Sequence, residues 1–307
     1  MSYHLFVMDR AYSSWSLRGW LLFEAFGIPA RVTQANWPSP EWDALLARVA
    51  PARTVPALEI EEGGETALLW DTLAIAETLA ERHPQAGHWP AAPAARAAAR
   101  SLAAEMHSGF RALRGACPMN LKAVYSGYEP SPEVLADVER IRALWAWARS
   151  RFGGEGPFLF GAKFTAADAF FLPVASRFAS FGLPRGSEDD AYIEALHRLP
   201  AFRRWRAMAV ANPHVVAEDV ADLPVTGAFG PGEAPLPARA ASGVKPVNET
   251  CPYSGKPVAA DSLAEIDGIV VGYCNTFCRD KTVADALAWP ATVSLLRGLR
   301  APSGVVS

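Results

Sequence analysis

The sequence predicts an α/β domain joined to an all-α domain and followed by a small cysteine-bearing α+β module. Three observations carry this expectation. Up to about residue 86, short β-type runs alternate with helix-period runs; after 87, alanine-rich amphipathic segments succeed one another without a convincing strand; and three of the four cysteines fall after residue 250. The 307 residues are 50% hydrophobic, enough for more than one core.

The first domain, 1–86, opens with "LFVMDR", a short strand, and "SLRGWLLFEAFG", a helix stopped by Gly27 and Pro29. Leu17, Trp20, Leu21, Leu22, Phe23 and Phe26 cover nearly every face of that helix, so it is expected to be buried on two sides, as in a layered domain. "ARVTQAN" reads as a second strand and Glu41 to Val49 as a short helix. "TVPALEI" and "TALLW", separated by Gly63 and Gly64, read as a hairpin, and "DTLAIAETLAERH" as a strong helix. The resulting order is βαβαββα.

The second domain, 87–217, contains amphipathic segments at about 91 to 113, 133 to 150, 166 to 178 and 198 to 211. Within it, "FTAADAFF" is a capping box in which Thr165 accepts from the Asp168 amide while Asp168 reaches back to the cap amide, a structural device. Gly, Pro and Ala then dominate residues 227 to 246, and apolar periodicity vanishes, so 218–249 is read as a linker or a strap over the surface. Residues 250–307 form the small module.

A net charge of -3 gives no basic footprint for nucleic acid. The local positive cluster from Arg96 to Arg114 includes Glu105 and is expected to be a solvated helix face. No signal peptide is visible and no run approaches the roughly 20 apolar residues of a membrane span, so neither membrane nor nucleic acid is an expected partner, and a cytoplasmic location is expected.

The stretch "AYSSWSLRGW" places Ser13, Ser14 and Ser16 between the first strand and the first helix, where orphan amides and the positive helix end favour an anion. In the structural alternative, Ser16 caps the helix and the other two serines face water. Nothing resembles a Gly-x-Ser-x-Gly elbow, and no His and Asp partners announce a triad. A serine hydroxyl without a base is a poor nucleophile, yet it can hold a cofactor thiol as thiolate.

Taken with the flanking strand, "YSSWSLRGWLLFEAFGIP", "RTVPAL", "LLWDTLAIAETLAE" and the later "FTAADA" resemble a Ser-type cytosolic glutathione transferase, nearest to the zeta and related bacterial classes, over about residues 3 to 215. The resemblance implies a thioredoxin-like first domain that binds glutathione, a helical second domain that supplies much of the electrophile pocket, and a homodimer. From the match to the family's Ser-x-x-x-Arg helix start, Ser14 followed by Arg18 is the residue implied to activate the thiol, with Ser13 as the alternative. Pro56 matches the family's cis proline, which turns the Val55 backbone toward the cysteinyl part of glutathione. Asp71 and Thr72 match the pair that receives the γ-glutamyl end, with Thr in place of the usual Ser; taken alone, such residues at a helix start are ordinary caps. Trp15 is read as stacking on a flat substrate or as packing. His107 is read as facing Phe110 and Arg111 at i+3 and i+4, either in a substrate wall or in a structural role. Cys117 is read as a small buried thiol.

Cys251 in "CPYSGKPV" and Cys274 and Cys278 in "YCNTFC", spaced around the strand-like "SLAEI" and "IVVGYC", suit a soft metal, zinc above all. The module resembles small YHS or TRASH-like metal-binding domains. It departs from a closed four-ligand site, because no histidine follows His214; Asp280, Asp261, water or a group from another domain would be needed, or the fold persists without metal as a structural cap. In that case Val270, Val271, Phe277, Leu287 and Trp289 are expected to form its core.

The functional expectation is an enzyme, a glutathione transferase that adds glutathione thiolate to a small electrophile or uses it in isomerisation or dehalogenation. The alternative is a noncatalytic glutathione-binding scaffold whose tail engages a metal or a partner.

Overall fold

A short run of aromatic and aliphatic residues at the start of the chain yields strand β1 (Ser2–Val7), buried continuously from Tyr3 to Val7. The computed structural model of the chain describes residues 1–230 and 236–300, so residues 231–235 of the expected linker and 301–307 of the expected module lie outside it. Helix α1 (Ser14–Glu24) follows, with nine buried residues, as its all-round apolar pattern requires. Then come β2 (Arg31–Gln34), α2 (Pro40–Arg48), β3 (Ala57–Glu62), β4 (Glu65–Trp70) and α3 (Thr72–Arg82). The sheet order is β2-β1-β3-β4, with β1 parallel to β2 and antiparallel to β3, and β3 antiparallel to β4. Gly63 and Gly64, both at positive φ, make the hairpin turn. This is the expected βαβαββα arrangement, an N-terminal mixed α/β, thioredoxin-like domain.

The helices α4 (Pro93–Ser108), α5 (Arg111–Ala116), α6 (Pro132–Ala148), α7 (Ala166–Phe181) and α8 (Ser187–Arg198) form the helical part. The expected single helix from 91 to 113 is broken: Gly109 ends α4, and Phe110, at φ 55°, starts α5 in a new direction. Helix α8 had no sequence-based expectation. A short strand pair, β5 (Val124–Tyr125) with β6 (Val225–Gly227), also departs from the strand-free reading and pins the start of the expected linker to this unit, where Phe229 is buried. The Thr165 capping box is present: Asp168 accepts from the Thr165 amide at 2.8 Å and from its hydroxyl at 2.7 Å.

The described residues pack as one unit of Met1–Leu199 with His214–Phe229, and a second of Pro200–Pro213 with Gly230 and 236–300. In the second unit α9 (Pro200–Ala211) packs with β7 (Ala238–Ala241), β8 (Leu263–Ile266), β9 (Ile269–Gly272), α10 (Thr276–Ala284) and α11 (Pro290–Arg300). The expected boundaries had put α9 with the helical domain and the β7 residues in the linker. The physical reason for the different grouping is that Arg203 of α9 makes a bidentate pair with fully buried Asp285, at 2.8 and 2.7 Å, and Ala207 shares a cluster with Ala288 and Trp289. The three-stranded sheet runs β7-β8-β9. Its core is Cys251, Ala264, Ile266, Val271, Tyr273, Ala286 and Leu296. Val271 is there as expected, whereas Phe277 and Leu287 are exposed at 38% and 37%, because they lie on the outer side of their helical turns.

Candidate functional site

The strand-to-helix junction creates the candidate site. Ser13, not Ser16, caps α1: its hydroxyl accepts from the Ser16 amide at 3.2 Å and donates to the Ser16 Oγ at 2.8 Å. Ser16 is fully buried within the helix and accepts from the Met8 amide at 3.0 Å, so it ties the helix to the chain leaving β1. The helix starts two residues earlier than its apolar pattern indicates, because the cap, not the pattern, sets its first turn. Ser14 is then the first helical residue, beside the orphan amides, and its hydroxyl has no hydrogen-bond partner among the described residues.

Ser13, Ser14 and Trp15 line a cavity of about 900 Å³ together with Val55, His107, Arg111, Arg114 and Arg177, among other residues. Val55 is presented by the turn before β3, where the Val55–Pro56 peptide is cis. Pro56 packs under α1 at Gly19, where an added Cβ would lie 2.6 Å from the proline ring, so only glycine permits this approach. Asp71 caps α3 by accepting from the Leu73 amide at 2.8 Å, and its other oxygen meets His107 Nε2 at 2.7 Å. Thr72 is buried, and its hydroxyl has no hydrogen-bond partner among the described residues. Neither Asp71 nor Thr72 lines the cavity itself; Asp71 joins it through His107.

Trp15 is in contact with two guanidinium groups, with Arg18 Cζ 4.4 Å and Arg114 Cζ 4.9 Å from its ring centroid, and the His107 ring centroid 5.1 Å away. The expected i+3 and i+4 relation of His107 to Phe110 and Arg111 does not exist, since α4 ends at Ser108. The Arg96 to Arg114 cluster likewise divides. Arg100 is a solvated residue paired with Glu77 at 2.7 Å, as expected, but Arg111 and Arg114 turn with α5 onto the cavity. Burial, and then Arg111 beside it, pushes the Arg114 guanidinium down from its ordinary value; burial, then Arg114, pushes Arg177 down to about 10. Arg18, fully buried, is lowered most by burial and next by Arg177 and Arg114. Arg53, Arg114, Arg177 and Asp219 were missed by sequence reasoning. The i, i+3 spacing of Arg111 and Arg114 was the available signal, hidden by the unforeseen helix break.

A second cluster sits in the other unit. The Cys251, Cys274 and Cys278 sulfurs all lie within 4.8 Å of one another, and Cys274 to Cys278 is 4.0 Å. Asn275 caps α10 by accepting from the Cys278 amide at 2.8 Å, which places Cys278 in the first helical turn. Burial raises the Cys251 thiol, but the amides of Tyr253, Cys274 and Ser254 outweigh it and bring it down to about 7. Burial pushes Cys278 up to about 12. Among the described residues neither Asp280 nor Asp261 joins the cluster: Asp280 is held by Arg279 at 2.7 Å, and Asp261 accepts from Ser262 at 2.9 Å. Cys117 is a separate, fully buried thiol, as expected, and its backbone carbonyl accepts from Arg177 Nε at 2.7 Å.

Two family models match the chain, the second running eight residues into α9. The N-terminal domain of glutathione S-transferase matches residues 12–82, and the C-terminal domain of glutathione S-transferase matches 94–207, together more than half of the chain. The chain belongs to the glutathione S-transferase superfamily. Solved structures of similar fold include a glutathione transferase homolog from Burkholderia GL BGR1 with bound glutathione, at 21% identity and TM-score 0.51, over 68% of this chain and 98% of that one. Glutathione transferase Omega 2S from Trametes versicolor is similar at 20% identity and TM-score 0.53, over 71% of this chain and 99% of that one. Maleylacetoacetate isomerase from Anaeromyxobacter dehalogenans 2CP-1 reaches 26% identity, over 66% of this chain and 94% of that one, at TM-score 0.46. These likenesses concern the glutathione S-transferase fold, and the zeta-like assignment stays with the sequence motifs. No curated protein sequence matches the chain significantly. No helix among the described residues is long and apolar enough to cross a membrane.

Proposed function

We propose that the cavity binds glutathione and that the protein is a glutathione transferase, using the bound thiolate against a small electrophile. The observation that carries this reading is the uncommitted Ser14 hydroxyl at the start of α1, in a cavity shared with Val55, inside a glutathione S-transferase fold. Ser13 is occupied by the cap, which favours Ser14 as the donor to sulfur. Lowering a thiol pKa from near 9 by about two units needs roughly 2.7 kcal/mol, within reach of one hydroxyl donor, the first-turn amides and the helix dipole together. Val55 would meet the cysteinyl backbone, and Asp71 with Thr72 the γ-glutamyl end. In the chemical step the sulfur lone pair forms a C–S bond, and the electrophile either takes up a proton or releases its leaving group with the bonding electrons. Calorimetry with glutathione tests the reading: saturable binding at millimolar or lower concentration is expected, and its absence overturns it. A homodimer and a cytoplasmic location belong to the same reading, from the family resemblance.

The thiol cluster favours a second role, in metal binding. A soft ion bound through bonds of about 2.3 Å sets its sulfurs roughly 3.8–4.0 Å apart, and the Cys274 to Cys278 separation of 4.0 Å fits this. Cys251, Cys274 and Cys278 would hold zinc as a structural ion, with the fourth position open to water. Such an ion would supply cross-linking of the β-hairpin, the Cys251 turn and α10, with no part in thiol activation.

A further inference from the structure

The three-thiol cluster is unevenly buried. Cys251 is 2% exposed and sits in the core of its unit with Ala264, Ile266, Val271 and Tyr273, whereas Cys274 and Cys278 are half-buried. The backbone around Cys251 is also closed on both sides: its amide donates to the Lys256 carbonyl at 2.8 Å, and its carbonyl accepts from the Gly255 amide at 2.9 Å. Cys274 and Cys278 belong instead to the short segment that opens α10, on either side of the Asn275 cap, with their sulfurs 4.0 Å apart. Side chains fix the Cys274 sulfur, which accepts from the Ser254 hydroxyl at 3.2 Å and from Asn275 Nδ2 at 3.4 Å. Cys278 is fixed through its backbone, whose amide donates to the Asn275 side chain at 2.8 Å.

A structural zinc site is closed by four protein ligands. Among the described residues no further cysteine, histidine or carboxylate joins this cluster, so one coordination position stays open and the half-buried thiols are within reach of a small molecule. Accessible thiols set beside a second cysteine oxidise reversibly, because the neighbour intercepts the sulfenic acid before it oxidises further. Bringing the Cys274 and Cys278 sulfurs from 4.0 Å to a bond of about 2.05 Å requires about 2 Å of approach, which rotation of two side chains flanking one cap supplies. Drawing Cys251 into such a bond would pull on the core and on its closed turn. The unit keeps its apolar core and the buried pair of Arg203 with Asp285 in either state, so oxidation acts on the ion and not on the fold.

Building on the metal-binding reading, we propose that Cys274 and Cys278 form a reversible disulfide with hydroperoxides as the oxidant, and that this releases the ion the three thiols hold. The Cys274 sulfur attacks the terminal peroxide oxygen; the O–O bond breaks, and hydroxide or alkoxide leaves with the bonding electrons and takes a proton from solvent. The Cys278 sulfur then attacks the sulfenic acid, an S–S bond forms, and hydroxide leaves, again taking a solvent proton. The pair of sulfurs loses the two electrons that the peroxide gains. Two glutathione thiols reverse the step through a mixed disulfide and end as glutathione disulfide. Full-length, zinc-loaded protein is treated with hydrogen peroxide in low molar excess, with zinc read by a metallochromic dye and the sulfurs by tandem mass spectrometry after N-ethylmaleimide blocking. The expected result is release of about one zinc per chain with a Cys274 to Cys278 disulfide, lighter by about 2 Da, while Cys117 and Cys251 stay free. Added glutathione is expected to restore the thiols and zinc uptake. Cys278→Ser is expected to stop at a Cys274 sulfenic acid that dimedone captures, and the wild-type disulfide map decides the outcome even where this variant fails to fold. Retained zinc with all thiols free, a disulfide through Cys251 or between chains, or a sulfinic acid that glutathione does not reverse overturns the switch and leaves the metal reading intact. A folded protein that takes up no zinc overturns the metal reading, and this proposal with it.

Discussion

Three serines within four positions divide their labour by hydrogen bonding. Ser13 and Ser16 satisfy each other and the chain entering α1, which leaves Ser14 free to act on a ligand. Replacing Ser14 with Ala is therefore expected to leave folding nearly unchanged, to raise the pKa of bound glutathione, and to slow conjugation by about tenfold to a thousandfold. Ultraviolet thiolate absorbance against pH, together with steady-state rates, checks this; unaltered absorbance and rate would remove Ser14 from the mechanism. Ser13→Ala has a different signature, since it costs about 1 kcal/mol of stability through the lost cap.

At the level of elements, α7 is the most deeply embedded helix of the larger unit, and its start hangs on one carboxylate. Asp168, fully buried, accepts from the Thr165 amide and hydroxyl, from the Leu159 amide at 3.1 Å and from the Tyr192 hydroxyl at 3.0 Å. Burial raises its pKa despite those four donors. Asp168→Ala orphans several buried donors at once and is expected to cost about 3 kcal/mol or more, against about 1 kcal/mol for Thr165→Ala. Urea unfolding gives both values, and a smaller loss in Asp168→Ala than in Thr165→Ala would reject this account. The same helix carries Arg177 to the cavity, so the capping box supports the site indirectly, through the position of α7.

On the scale of the whole molecule, charge and metal dependence distribute unevenly. The chain's net charge is -3, yet its candidate site concentrates arginines, because the surface pairs such as Arg100 with Glu77 and Arg140 with Glu105 neutralise cations elsewhere. The three-thiol cluster lies in the second packing unit, whose apolar core already includes Ile266, Val271, Tyr273 and Leu296. Elemental analysis of protein purified without added metal is expected to find about one equivalent of zinc. Cys274→Ala and Cys278→Ala should both lose it while glutathione binding persists. A folded, metal-free wild type that also fails to take up zinc on titration would show that the apolar core alone carries the unit. Loss of conjugation on chelation without unfolding would instead require a catalytic role for the metal.

Periodicity, caps and turn residues are local properties, and they determined much of this protein directly. The βαβαββα order, the hairpin at Gly63 and Gly64, the capping box at Thr165 and the first-turn placement of Cys278 all follow from residues a few positions apart. The motifs around Ser14, Pro56 and Asp71 were likewise legible, and the cavity does bring Ser13, Ser14, Trp15 and Val55 together. Tertiary structure decided what depends on partners distant in sequence. Which serine is free depends on Met8 and Ser16 consuming the others' hydrogen-bonding capacity. Whether α9 packs with the tail depends on a buried pair between Arg203 and Asp285. Arginines that look like a solvated stripe become a cavity wall because Phe110 adopts a left-handed conformation that no hydrophobic pattern announces, and a charge's role is set by what faces it after the chain has turned.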